Sequence, residues 1–167
     1  MLKKILTERE LANRASTSVA DFLFKRLMVP QVYIDVSWPN SKTRVDVLAI
    51  DRAGTGDIHV AEVLVLQGNS GQKLQQGLSK LETIPAHYKY LALFNETGRS
   101  LLPKDHPLFD QTGFGRVGVI RVREDESENL KAEFLVSPER FRPAPQIYRR
   151  ADRLRATHKP DFEVRDY

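Results

Sequence analysis

The sequence predicts an α/β fold with an αβββαβ core, a mixed sheet flanked by helices, two further strands and a basic C-terminal arm. Three patterns carry that expectation. An apolar stripe of helical period runs over residues 7–28, three Val- and Ile-rich segments follow between turn formers, and a second helical stripe leads into an apolar run.

Leu11, Ala15, Val19, Phe22, Leu23 and Leu27 recur at spacings of three and four and line one face of the first helix. Thr7 and Glu10 form a T-x-x-E capping box at its start, and Pro30 ends it, because the residue before a proline avoids the helical region. The period then becomes two. Residues 31–38, 43–51 and 58–66 read as three antiparallel strands, punctuated by Pro39-Asn40-Ser41 and Gly54-Thr55-Gly56. Leu74, Leu78 and Leu81 define a second helix over 72–83, stopped by Pro85. Residues 88–94 are almost continuously apolar, the pattern of a strand covered on both faces. Residues 95–115 hold Gly98, Pro103, Pro107, Gly113 and Gly115 and read as loop with at most one short helix. Two more strands fall at 116–123 and 130–136, joined by an acidic turn. Beyond Ser137, prolines and basic residues give an extended arm with a short helix near 146–155. The organisation expected is one domain over 1–137 and an arm over 138–167, with no internal repeat.

Composition bounds the function. A chain of 167 residues is long enough to bury one ordinary core without a metal or disulfide staple. The absence of cysteine excludes disulfide frameworks, thiolate zinc sites, iron–sulfur clusters and cysteine nucleophiles. No apolar run approaches a membrane span, and polar residues from Thr7 onward interrupt any signal-peptide core, so a cytoplasmic protein without a membrane partner is expected. The net charge is +4, yet residues 140–159 hold seven basic residues and one acid, a local +6. The remainder therefore carries −2, and the basic pI of 9.4 belongs to the arm.

Two acids stand out in the strands. Alternation puts Arg44, Asp46, Leu48 and Ile50 on one face of the second strand, and Val60, Glu62, Leu64 and Leu66 on one face of the third. Both faces are mostly apolar, so a carboxylate there costs stability unless it is compensated. If the turn is centred on Gly54, Asp46 and Glu62 oppose each other with Cβ atoms ~5 Å apart. A shared divalent cation, a shared proton or an intervening arginine would relieve their repulsion; Mg²⁺ suits paired carboxylates completed by water and phosphate oxygens, and Arg44 is the arginine at hand.

Helix, three-stranded meander, helix and strand, with Arg44-Val45-Asp46 in the second strand and Val60-Ala61-Glu62 in the third, resembles the PD-(D/E)xK nuclease superfamily, the restriction-endonuclease-like fold. The resemblance spans residues 7–95. It implies a nucleic-acid-associated, metal-dependent phosphodiester hydrolase, with Asp46 and Glu62 as catalytic acids and ligands of Mg²⁺ or Mn²⁺, and DNA favoured over RNA as partner. It also implies a lysine two residues after the glutamate, where this chain has Leu64. Leucine can neither orient water nor offset phosphoryl charge. A displaced catalytic lysine is then required, and Lys73 in the first turn of the second helix is the candidate, its plainer reading being a solvated helix-flank lysine. Glu8, on the stripe of the first helix, could turn toward the same site or serve the helix dipole. The alternative function is a catalytically inactive member of that fold, acting as a DNA-binding or protein-assembly module with Arg44 neutralising the acids.

In the arm, Arg140, Arg142, Arg149, Arg150, Arg153 and Arg155, interleaved with Phe141 and Tyr148, are candidate nucleic-acid contacts, since each cation on a phosphate adds salt-dependent affinity and aromatics stack on bases. The same arm could be a solvated tail or bridge a homodimer. His59, His87, His106 and His158 lack metal-ligand spacing, and neither the glycines at 68, 71 and 77 nor Ser70 and Ser100 match a phosphate loop or a hydrolase elbow.

Overall fold

Thr7 opens the first helix as its capping box predicts: the Glu10 amide donates to Thr7 Oγ1 at 3.2 Å and the Thr7 amide to Glu10 Oε2 at 2.7 Å. In this computed structural model the described residues are 5–28, 30–38, 41–51, 56–66, 71–95 and 116–163. The turns expected around 39–40 and 52–55 and the loop after Asn95 lie outside them, as do Ser70, Ser100 and His106.

Helix α1 (Glu8–Arg26) buries Leu11, Ala15, Val19 and Leu23, the stripe of its sequence, and places Lys25 and Arg26 against the negative end of its dipole. Strands β1 (Pro30–Ser37), β2 (Arg44–Asp51) and β3 (Ile58–Leu66) form an antiparallel meander. Helix α2 (Gly71–Thr83) crosses over to β4 (Tyr88–Asn95), which pairs parallel to β3. Strand β5 (Gly118–Glu124) adds in parallel to β4, and β6 (Leu130–Val136) antiparallel to β5. With β7 (Phe162–Glu163) antiparallel to β1, the described residues form a seven-stranded mixed sheet of order β6-β5-β4-β3-β2-β1-β7. Its central strand β3 is buried along its whole length.

Side-chain alternation divides the core into two layers. Val47, Ala49, Ala61, Val63 and Val65 pack with α1 on one face; Leu48, Ile50, Val60, Leu64, Leu74, Leu78 and Leu81 pack with α2 on the other. Each fully buried Leu, Ile or Val removes enough apolar surface to contribute about 1.5–3 kcal/mol.

The segment expected as an extended arm is folded onto this body. Helix α3 (Gln146–Thr157) buries Ile147, Ala151 and Leu154 on the α2 face, and β7 (Phe162–Glu163) pairs with β1. Asp161 Oδ2 accepts a 2.7 Å hydrogen bond from the Ile34 amide just before that strand. The local charge masks an i, i+4, i+7 apolar stripe that is sufficient to dock the helix.

Candidate active site

Asp46 and Glu62 come together where β2 and β3 part. The ladder pairs Val47 with Ala61 and Leu48 with Val60, so one further step outward places Asp46 opposite Glu62, the register that a turn centred on Gly54 predicts. Beyond that point Asp46 Oδ2 accepts from the Val63 amide at 2.8 Å, a side chain replacing the ladder bond. On the other side of β2, Ile34 pairs with Val47 and Val36 with Val45, so the residue facing Asp46 is Asp35. Asp35 has φ 51°, in the left-handed region where Asp is among the better-tolerated residues.

Arg44 holds that distortion. Its Nε donates to Asp35 Oδ1 at 2.9 Å and its Nη2 to the Asp35 carbonyl at 2.7 Å, both on the exposed outer side. The alternative in which Arg44 pairs with one of the two acids is therefore overturned: the guanidinium is committed to Asp35 of β1, across β2 from Glu62.

The cation at the acid pair is Lys80, on α2. Its Nζ donates to Glu62 Oε1 at 2.8 Å and lies 2.7 Å from Oε2. Sequence reasoning passed over it because it flanks the Leu74, Leu78, Leu81 stripe as an ordinary helix lysine would. A usable signal existed. Gly77 precedes Lys80 by three residues, and a Cβ at Gly77 would stand 3.0 Å from Cδ1 of both Leu64 and Leu91. The glycine lets α2 sit directly on Leu64, which brings the next turn of the helix within reach of Glu62.

Lys73 is placed elsewhere. It pairs with Glu8 of α1 and donates to the Val65 carbonyl at 2.7 Å, further along β3. Glu8 and Lys73 thus satisfy each other at the end of the sheet, outside the hydrogen bonds that Asp46, Glu62 and Lys80 make.

Burial, reinforced by the charge of Asp46, pushes the Glu62 carboxyl up from 4.5 to about 7, with Lys80 opposing the shift. The Glu62 carboxyl can therefore hold a proton near neutrality. Among the described residues no group of three or more His, Asp or Glu converges on one point. The two carboxylates are hard oxygen donors on one sheet face, which fits a cation that keeps water and phosphate oxygens as its remaining ligands.

The two buried histidines, His59 and His87, take structural roles. His59 stacks on Tyr88 and Tyr90, 2.8 Å from the Tyr90 hydroxyl, and burial pulls it down to about 4. His87 Nδ1 accepts from the Ile58 amide at 2.9 Å, which leaves the neutral ring its proton on Nε2, 3.1 Å from the Tyr148 hydroxyl.

The six candidate arginines between 140 and 155 do not form one cluster. Arg140 is held by Asp57 through two contacts of 2.9 and 3.1 Å, and Arg142 lies two residues on, in a pocket with Arg140. Arg149, Arg150, Arg153 and Arg155 are on α3, where Arg155 pairs with Asp152. No described helix is long and apolar enough to cross a membrane.

No family profile and no curated protein matches the chain. A solved structure of a protein of unknown function from Silicibacter pomeroyi is similar in fold, with a TM-score of 0.53 over 92% of each chain at 18% identity. That likeness, with the sheet order above, shows a mixed α/β fold.

Proposed function

We propose that this is a nucleic-acid-associated domain of the PD-(D/E)xK kind, a metal-dependent phosphodiester hydrolase in which Lys80 stands in for the lysine replaced by Leu64. The observation that carries it is the Asp46–Glu62–Lys80 group, two acids and a lysine converging at the fork of β2 and β3. The αβββαβ element order supports a restriction-endonuclease-like core. Asp46 and Glu62 would hold Mg²⁺ or Mn²⁺, which supplies Lewis-acid polarisation of a phosphoryl oxygen. Lys80, with its side chain one-third exposed, is placed to offset charge developing on the phosphate once it turns from Glu62. The basic residues of 140–159 supply contacts to the strand backbone.

The second reading is an inactive binding or assembly module of the same architecture. It is favoured by the fact that Lys80 already occupies Glu62 as a cation would. In that reading Lys80, rather than Arg44, neutralises the acids.

The test is a titration of Mg²⁺ and Mn²⁺ into wild type, Asp46→Ala and Lys80→Met, reading both thermal stability and cleavage of single-stranded and duplex DNA. The hydrolase predicts metal-dependent stabilisation in wild type, lost in Asp46→Ala, and cleavage lost in both variants, by about two orders of magnitude or more for the lysine. Metal-independent stability together with no cleavage leaves the binding module.

A further inference from the structure

A second concentration of charge lies on the same sheet face, beyond the C-terminal end of α2. Lys89 belongs to β4, where it pairs with Val60, two register steps from the Glu62–Leu91 pair. It interrupts an otherwise apolar strand and is only 8% exposed. Residues 138–143 cross this end of the sheet as a strap. The Glu139 amide donates to the Arg116 carbonyl at 3.0 Å and the Phe141 amide to the His87 carbonyl at 2.7 Å. Between strap and sheet is a pocket of about 440 Å³ whose wall includes Lys89, Arg116, Arg140, Phe141 and Arg142, and no carboxylate.

Lys89 is held without an ion pair among the described residues, whereas Arg140 and Arg116 are paired with acids outside the pocket wall, Asp57 and Glu139. Lys89 Nζ lies 4.8 Å and Arg116 Cζ 4.2 Å from the centre of the Phe141 ring, so one aromatic side chain positions both. Among the described residues Lys89 makes no hydrogen bond or ion pair. The acids nearby are engaged or distant: Asp57 pairs with Arg140, Glu139 Oε2 lies 3.5 Å from Arg116 Nε, and Glu82 acts on Lys89 through its field. Burial, with a smaller push from Arg116, pulls Lys89 below its ordinary value. A partly desolvated ammonium beside the Arg116 guanidinium, in a pocket whose wall carries no carboxylate, is favoured by an anion that enters it.

We propose that this pocket is a phosphate-binding site, with Lys89 and Arg142 as the groups that grip the phosphate oxygens and Arg116 and Arg140 fixing its field. The phosphate could belong to a nucleic-acid strand end or to a small phosphorylated metabolite. The site is separate from the acid pair and stands or falls independently of the hydrolase reading.

Calorimetric titration with inorganic phosphate and adenosine 5′-monophosphate tests the pocket directly, in wild type, Lys89→Met and Arg142→Gln. Both ligands should bind wild type and lose about tenfold in affinity in each variant. Lys89→Met should keep or raise the melting temperature, which a merely structural lysine would not allow; Arg142 is exposed, so its variant reports on binding even if Lys89→Met folds poorly. Fluorescence anisotropy with a single-stranded oligonucleotide, with and without a 5′-phosphate, identifies the source. A preference for the phosphorylated end that both variants abolish assigns the pocket to strand ends. Binding of phosphate and the mononucleotide with no oligonucleotide binding keeps the pocket, assigns it to a small ligand and counts against nucleic acid as partner. No phosphate or mononucleotide binding up to about 10 mM overturns the proposal, as does binding that neither variant weakens, whatever the oligonucleotide does.

Discussion

The fork of β2 and β3 and the pocket beside β4 bury charge on one sheet face, and they settle it in opposite ways. At the fork, Glu62 is desolvated and repelled by Asp46, and Lys80 reaches over from α2 to answer it within the chain. At the pocket, Lys89 is desolvated beside Arg116, and the chain supplies the face of Phe141 and the field of Glu82 but no ion pair among the described residues. A charge matched from within is set in place and can be displaced by something stronger, such as a divalent ion. A charge left unmatched is a vacancy for a ligand of the opposite sign. Burial alone does not mark a site's chemistry; what the fold does or does not bring to the buried group does.

The largest effect expected is from Leu64→Lys, which puts the lysine where a PD-(D/E)xK nuclease would carry it. Leu64 is 8% exposed and Gly77 lies against it, so the new ammonium would be buried under α2. A loss of about 3 kcal/mol or more in urea unfolding is expected, with no gain in cleavage. A stable variant with enhanced cleavage would show instead that α2 lifts readily from the sheet and that the fork is as open as the pocket.

Lys80→Met should cost somewhat less, about 2–3 kcal/mol at pH 8, because it strands a carboxylate pair that is mostly buried while Lys80 itself is partly solvated. The loss should shrink at pH 5, where Glu62 is protonated. Equal losses at both pH values would mean that the Lys80 stem, through its packing, matters more than its charge.

Glu62→Gln tests the same group with the opposite sign. A carboxyl raised from 4.5 to about 7 binds its proton more tightly in the folded chain than in the unfolded one. Its contribution is therefore fully present below pH 4.5 and lost as pH rises through 7. Replacing it with an uncharged amide should stabilise the protein at pH 8 relative to wild type, by on the order of 1–2 kcal/mol after the lost Lys80 contact is set against it, and change little at pH 4.5. Stability curves that run parallel from pH 4.5 to 8 would remove the protonated acid pair from the fork.

Much of this was legible in the sequence where local pattern dominates. The Thr7 capping box, the strands of the meander and the facing of Asp46 and Glu62 follow from spacing and a turn centre, because period and register are local properties. What was not legible depends on which element lies over which. Arg44 shares a strand face with Asp46 yet is drawn outward by the kinked Asp35, and no pattern announces that kink. Lys73 and Lys80 sit on one helix, and only the seating of Gly77 on Leu64 and Leu91 decides which of them reaches Glu62. Lys89 carried a signal that a motif search ignores, a lone charge inside the apolar run of β4. Its meaning depends on the strap of residues 138–143, which spacing alone reads as part of an extended arm.

The smallest effect separates fixed from diffuse phosphate affinity. Arg149 lies on the exposed side of α3, away from the Ile147, Ala151, Leu154 stripe. Arg149→Gln should leave thermal stability unchanged. It should lower the slope of log affinity against log salt for DNA by about one, the share of a single phosphate contact. The preference for a 5′-phosphorylated end should persist in that variant, since the pocket that would read it is built from Lys89 and Arg142. If Arg149→Gln abolishes the end preference while Lys89→Met spares it, the phosphate seat belongs on α3, and the unmatched lysine of β4 would have to be explained by packing alone.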